Sequence, residues 1–243
     1  MNEEARERLI FALDVDDCEQ ARQWVEQLKD NVGVFKIGKQ LFTRCGPDVV
    51  RMVREYGAAV FLDLKYHDIP NTVAKAAIEA CRLGVRMFNV HALGGAQMMR
   101  TTVAEMDAWC SAAGVPRPQL LAVTILTSAD QATLSEIGID RPVAEMVVRL
   151  ARLAQAAGCD GVVASPQEAA LIRAACGPDF AIVTPGVRPG FAAQDDQKRV
   201  ATPATAIAAG ATALVIGRPI SAAADPLAAA GRILDEISAA LAH

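Results

Sequence analysis

Eight short apolar runs recur along this chain with a helix-like stretch after each, and no other feature of it restricts the fold as much. The runs are "LIFALDV" (9–15), "VGVFKIG" (32–38), "AAVFLDL" (58–64), "VRMFNVH" (85–91), "LLAVTIL" (120–126), "DGVVAS" (160–165), "FAIVTPG" (180–186) and "TALVIG" (212–217). Most are continuous rather than alternating, as expected of strands covered on both faces in a parallel sheet. The helix-like stretches cover 17–29, 46–56, 70–83, 95–113, 141–157, 166–176, 203–209 and 219–242. Eight strand–helix units in 243 residues predict an α/β chain folded as one (β/α)8 TIM barrel, an architecture of about 250 residues. The competing doubly wound open sheet is weakened because no Gly-x-Gly-x-x-Gly turn follows the first run.

Four junctions repeat one device. In "EYGAAVFLDL", "RLGVRMFNV", "AAGCDGVVAS" and "AAGATALVIG" a helix closes on Gly and a strand begins at once, Gly being the residue that accepts the left-handed conformation at a helix end. No low-complexity linker or shift of composition divides the chain, so a single domain over 1–243 is expected. Hydrophobic residues make up 52% and charged residues 21%, which suits a large core and not a disordered chain. A net charge of −4 argues against nucleic acid or an anionic membrane as partner. It leaves room for a small anion, since a few local donors hold a phosphate whatever the overall charge. No apolar run is long enough to span a bilayer, and "MNEEARERLI" carries acid where a secretory leader carries basic and then apolar residues, which predicts a cytoplasmic setting. Cys18, Cys45, Cys81, Cys110, Cys159 and Cys176 include no C-x-x-C pair and no His at ligand spacing. They are expected to be reduced core or surface thiols, with no bound metal.

In such a barrel the reactive groups sit at the C-terminal ends of the strands. The segment "DLKYHDIPNT" (63–72) sets three charges directly after an apolar run, where an unpaired ion would lose its hydration. Asp63 and Lys65 are two apart, which aims both at one strand face within reach of Lys36 on the neighbouring strand. The spacing predicts a Lys–Asp–Lys row at the barrel mouth, and as a device for stability alone such a row is poor. Asp68 lies in the loop before Pro70 and either helps to start the helix at 70–83 or serves the chemistry; Thr72 caps or binds. The first run ends at Asp14 and the fourth at Asn89 and His91. Later ends offer Thr124, Thr127, Pro185, Gly186, Arg188, Gly217 and Arg218. His91 reads as hydrogen-bonded structure before it reads as a ligand, and His67 and His243 complete no metal set. In "IVTPGVRP" and "VIGRPI" a Gly and an Arg meet where a helix should begin. That combines backbone N–H groups, the positive helix end and a guanidinium fork into a phosphate site, in the loops where these barrels often hold phosphate. Between them "PGFAAQDDQKRVATP" (189–203) reads as a mobile lid carrying Gln197, or as an ordinary solvated loop.

These segments resemble a known family, the orotidine 5′-phosphate decarboxylases. The likeness runs nearly end to end and in order through "FALDV", "FKIGKQLF", "DLKYHDIPNT", "NVHALGG", "VTILTS", "VTPGVRP", "DDQKRVATP" and "VIGRPI"; the third is close to a signature of that family. The resemblance implies decarboxylation of orotidine 5′-monophosphate to uridine 5′-monophosphate with no metal or organic cofactor. It implies that Lys36, Asp63, Lys65 and Asp68 form an alternating charge network in which Asp68 and Thr72 reach into the neighbouring subunit's site, hence a homodimer with two shared sites. By the same likeness Asp14 and Lys36 hold the ribose hydroxyls and Thr127 lies by the pyrimidine. Arg188, Gln197, Gly217 and Arg218 would bind phosphate, with Pro185 among the substrate-binding positions. Tyr66, where the family often has Phe, is a conservative change expected to lie outside the reacting centre.

The chemistry gives these residues a reason. Losing CO2 from C6 of the orotate ring leaves an electron pair in the ring plane, where the π system cannot take it up. The site must place a fixed positive charge beside C6 and then a proton, and an ammonium on a rigid strand does both. Lys65 is the expected donor, held and aimed by Asp63 and Asp68. Two rivals share parts of the pattern. One is a related barrel that decarboxylates or builds keto-sugar phosphates through a metal-bound enediolate. The other is a non-catalytic barrel that binds pyrimidine nucleotides.

Overall fold

The computed structural model describes residues 2–190 and 201–242. Its strands are β1 (Leu9–Ala12), β2 (Val34–Gly38), β3 (Ala59–Tyr66), β4 (Met87–His91), β5 (Gln119–Val123), β6 (Gly161–Val163), β7 (Ala181–Pro185) and β8 (Ala213–Ile216). Each pairs in parallel with the next, and β1 also pairs with β8, closing the barrel. Around it run α1 (Glu3–Arg8), α2 (Cys18–Leu28), α3 (Lys39–Cys45), α4 (Asp48–Glu55), α5 (Pro70–Arg82), α6 (Gly95–Ala113), α7 (Gln131–Glu136), α8 (Val143–Ala156), α9 (Ala169–Cys176), α10 (Pro203–Ala208), α11 (Arg218–Ser221) and α12 (Pro226–Leu241).

Strand alternation divides the core into two layers, which is why the runs read as continuously apolar. Ile10, Val34, Phe61, Met87, Leu121 and Val183 fill the barrel interior. Their neighbours Phe11, Phe35, Leu62, Phe88, Leu120 and Ile182 face the helices. Each such side chain contributes about 1.5–3 kcal/mol by leaving water. One step further along the interior-facing register come Lys36, Asp63 and Asn89, so the apolar filling is topped by a polar layer at the strand C-termini.

Local signals account for most helix boundaries. Asp17 caps α2 by accepting the Gln20 N–H at 2.9 Å, and Ala21, Val25 and Leu28 put its buried stripe on the barrel. Pro70 opens α5. The four junction glycines, Gly57, Gly84, Gly158 and Gly210, all have positive φ, between 67° and 99°. Three expectations need correction. The run to 15 stops being strand at Ala12, which leaves Asp14 in a loop. The expected final helix over 219–242 is two: α11 stops at Ser221, and α12 starts afresh at Pro226, where the missing N–H costs nothing, with Asp225 as its cap accepting from Ala228 at 3.0 Å. Helices α1, α3 and α7 were not read from the sequence.

The expectation of six reduced cysteines also fails. Cys18, at the start of α2, and Cys45, at the end of α3, form a disulfide, while Cys81, Cys110, Cys159 and Cys176 are free and buried. The pair is 27 residues apart, and the turn of chain through α3 brings their Cα atoms to 6.0 Å; linear spacing carries no trace of that. Among the described residues no helix is long and apolar enough to cross a membrane.

Candidate active site

The polar layer opens into a cavity of about 330 Å³ lined by Asp14, Lys36, Lys39, Asp63, Lys65 and Leu126 among others, in the size range of small-molecule clefts. A larger groove of about 500 Å³ lies elsewhere, around Arg141 just before α8 and Glu145, Arg149, Arg152 and Leu171 on α8 and α9. It runs over largely exposed side chains of the outer helices and is lined by no strand residue, so we place the chemistry in the smaller, charged cavity.

Within it Lys36 is buried and bridges two acids. Its Nζ donates to Asp14 Oδ1 at 2.9 Å and lies 3.7 Å from Asp63 Oδ2. Lys65 Nζ donates to Asp63 Oδ1 at 2.5 Å, a short charge-assisted bond. The structure thus brings Asp14, Lys36, Asp63 and Lys65 into one alternating row. Simple strand alternation accounts for Asp63 but not for Lys65. Lys65 has φ 53°, the one non-glycine with positive φ among the described residues, and the β3–β4 register breaks between Leu62 and Tyr66. The lysine meets Asp63 across this bulge rather than along a regular pleat.

A residue read from the sequence only as a strand end stands at the centre of this geometry. Asn89 is fully buried. Its Nδ2 donates to Asp63 Oδ1 at 2.7 Å and its Oδ1 accepts the Lys65 N–H at 2.8 Å. The one available signal was a buried-register Asn inside an apolar run, and without the bulge that signal has no partner to point to.

Barrel closure sets the β8 end beside β1. A Cβ on Gly217 would lie 3.3 Å from Ala12 Cβ and 3.9 Å from Asp14 Oδ2, and one on Gly38 would lie 3.3 Å from Lys36 Nζ. Bare backbone at both positions keeps the wall of the cavity clear around the Asp14–Lys36 pair. Arg218, exposed, begins α11 directly after Gly217. Pro185 ends β7, and two residues past it Val187 bridges to Ala201 while the Arg188 N–H donates to Ala201 O at 3.0 Å. The half-buried Arg188 therefore stands where the two ends of the 189–203 segment meet; Gln197 lies outside the described residues, as does His243.

Other expected positions stand apart from the row. Asp68 is exposed and accepts the Ile69 N–H at 2.6 Å; the N-cap of α5 is Ile69, not Asp68. Thr72 is exposed in the first turn of α5, and Thr127 in the turn after β5. Thr124 is buried and donates to Val163 O at 3.2 Å. Tyr66 packs against Phe88 in the helix-facing layer, ring centroids 6.2 Å apart, where burial pushes its phenol up to about 12. His91 and His67 lie ring to ring at 5.5 Å. The His91 pKa is lowered from 6.5, first by burial and then by His67, Lys39 and Lys65, against an upward pull from Asp63. Among the described residues no group of three or more His, Cys, Asp or Glu is arranged to hold a metal ion.

Fold and cavity define a (β/α)8-barrel protein whose strand mouth carries a preassembled lysine–aspartate row with Lys39 beside it, in a cavity of small-molecule size. Comparison with known proteins narrows the class. Residues 7–233 match the model of the Orotidine 5′-phosphate decarboxylase / HUMPS family. The orotidine 5′-phosphate decarboxylase of Syntrophotalea carbinolica is 65% identical over 238 residues, and that of Geobacter sulfurreducens 62% over 237, each alignment covering 98% of both chains. The crystal structure of orotidine 5′-phosphate decarboxylase from Lactobacillus acidophilus superposes with a TM-score of 0.82 at 40% identity, covering 94% of this chain and 98% of that one. This chain belongs to the Orotidine 5′-phosphate decarboxylase / HUMPS family.

Proposed function

We propose that this chain removes CO2 from orotidine 5′-monophosphate to give uridine 5′-monophosphate, the last step of pyrimidine nucleotide synthesis, as a cytoplasmic enzyme. The observation that carries the reading is the Lys36–Asp63–Lys65 row in the cavity of a chain of this family. The bond from C6 to the carboxylate breaks, CO2 leaves without the electron pair, and the pair stays at C6 in the plane of the ring. Lys65 first stabilises that charge as an ammonium and then gives C6 a proton; water returns a proton to the amine afterwards. No electrons are exchanged with a third party, and the reading calls for no metal or organic cofactor.

The row is suited to this because its charges are in place before any substrate arrives. Preorganised charge acts without the reorganisation that water would need. Asp63 fixes the ammonium with a 2.5 Å hydrogen bond, and its other oxygen faces Lys36. Asp14 and Lys36 serve the ribose hydroxyls, and Thr127, next to the cavity-lining Leu126, serves the pyrimidine. Arg188, Gln197, Gly217 and Arg218 take the phosphate, with Pro185 shaping the wall between. Binding energy gained at the phosphate organises the reacting end. Asp68 and Thr72 are assigned to the partner's site in a homodimer. In support, both are exposed and flank Ile69, a large apolar side chain left 66% exposed at the start of α5.

The test is to follow the ultraviolet absorbance of orotidine 5′-monophosphate with purified protein in excess chelator, beside Lys65→Ala. Conversion that survives chelation and collapses in the variant supports the reading. Chelator-sensitive turnover would transfer the chain to the metal-dependent sugar-phosphate barrels, and binding of uridine 5′-monophosphate without turnover would make it a nucleotide-binding barrel.

A further inference from the structure

The β3–β4 ladder contains an unusual mismatch. Leu62 pairs with Phe88 and Tyr66 pairs with Val90, so three residues of β3, namely Asp63, Leu64 and Lys65, stand opposite one residue of β4, Asn89. An ordinary bulge sets two residues against one. Across this wider gap the Lys65 N–H turns into a left-handed conformation, φ 53°, that a lysine adopts only when its surroundings hold it there. What meets that N–H is the Asn89 side chain, at 2.8 Å.

The orientation of the Asn89 amide follows from its neighbours. A backbone N–H can only donate and the Asp63 carboxylate can only accept, so the oxygen must face Lys65 and the nitrogen Asp63. The 2.7 Å contact from Nδ2 falls on Asp63 Oδ1, the same oxygen that takes the Lys65 ammonium. One fully buried carboxamide therefore ties both ends of the proton donor: the backbone from which Lys65 projects, and the carboxylate that receives its ammonium. No other uncharged side chain of this size supplies one acceptor and one donor in those directions. An Asp would face Asp63 with like charge, and a Leu would leave the Lys65 N–H unpaired.

We propose that Asn89 is a positioning residue for the reaction, holding Lys65 and Asp63 in the one arrangement from which the proton is delivered. The inference rests on the decarboxylation proposed above. Because Asn89 touches the row and not the phosphate or ribose positions, its loss acts on kcat and leaves nucleotide affinity almost alone, whereas a merely structural role would lower stability without that split.

The experiment compares wild type, Asn89→Ala and Asn89→Asp for turnover of orotidine 5′-monophosphate, for the Kd of uridine 5′-monophosphate, and for far-ultraviolet circular dichroism. Asn89→Asp keeps an oxygen for the Lys65 N–H and replaces the donor to Asp63 with a like charge, so it disturbs the Asp63 end alone and carries the comparison if the alanine variant does not fold. The expected result is a fall in kcat of about 100-fold, the scale of a 1 Å misplacement, with the Kd changed by less than about threefold. A folded variant with kcat within about threefold of wild type, or one whose affinity falls in proportion to kcat, overturns the inference while leaving the proposed activity standing. A wild-type protein that does not convert the substrate overturns both.

Discussion

Replacing Asp63 with Ala tests whether the charged row is a single unit. The Asp63 side chain is 13% exposed and serves Lys65 and Lys36, which are 23% and 11% exposed. Its removal leaves both ammonium groups without the carboxylate they share. Lys36 keeps Asp14 at 2.9 Å, but the Asp14 side chain is 68% exposed, and a pair so open to solvent contributes no more than about 1 kcal/mol. Breaking a buried pair from one side costs about 3–5 kcal/mol, because the remaining charge stays desolvated. Since both lysines retain some water, we expect about 3 kcal/mol, the lower end of that range. Asp63→Asn, which keeps an oxygen and loses the charge, should lie between the two. Urea unfolding of the three proteins measures the loss. Turnover should fall with it by about 10²–10⁴-fold, the typical contribution of a positioned proton donor. Asp63→Ala with stability within about 1 kcal/mol of wild type and undiminished turnover would refute the reasoning, since neither lysine would then depend on this carboxylate.

Three further outcomes can be checked. Reducing the Cys18–Cys45 disulfide, or replacing both residues with Ala, frees a loop spanned by 27 residues and should lower stability by about 3–4 kcal/mol; identical urea midpoints for oxidised and reduced protein would contradict this. Arg218→Ala should lose about 10–100-fold in kcat/KM, the value of a charge-assisted hydrogen bond, whereas Arg22→Ala, on the outer face of α2 beside Glu19, should lose almost nothing; equal small effects would remove Arg218 from the site. His91 resists protonation in the folded chain and titrates below 6.5. The folded state then binds fewer protons than the unfolded state just below that pH, so stability falls as pH drops through that window and is unaffected above it. His91→Gln should flatten the slope, and a thermal melting series across that window with an unchanged slope would exclude the histidine as its source.

The barrel was legible in the chain because its rule is local. Eight apolar runs, each long enough to be covered on both faces, and glycines that close helices into the next strand are properties of neighbouring residues, and the strands and positive φ angles follow them. The same locality explains the misses. A run carries apolar character past the point where pairing ends, so β1 was read too long. The short helix α3 lies behind Lys36 with one buried side chain, Leu41, too little periodicity to stand out. Gln197 and the rest of 191–200 lie outside the described residues.

At the site the division is sharper. Lys36, Asp63 and Asp14 could be listed from strand ends alone, since a charge that directly follows a buried run has few places to go. Their distances could not, nor could the bulge that sets Lys65 at positive φ, the disulfide across 27 residues, or the part played by Asn89. Residue type and spacing along the chain establish which groups are available and which strand face they start from. Which groups meet depends on barrel closure and on one break in register, both set by packing between segments far apart in the chain. Such contacts arise only when the whole ring of strands has closed, and for that reason they leave no mark in any single stretch of residues.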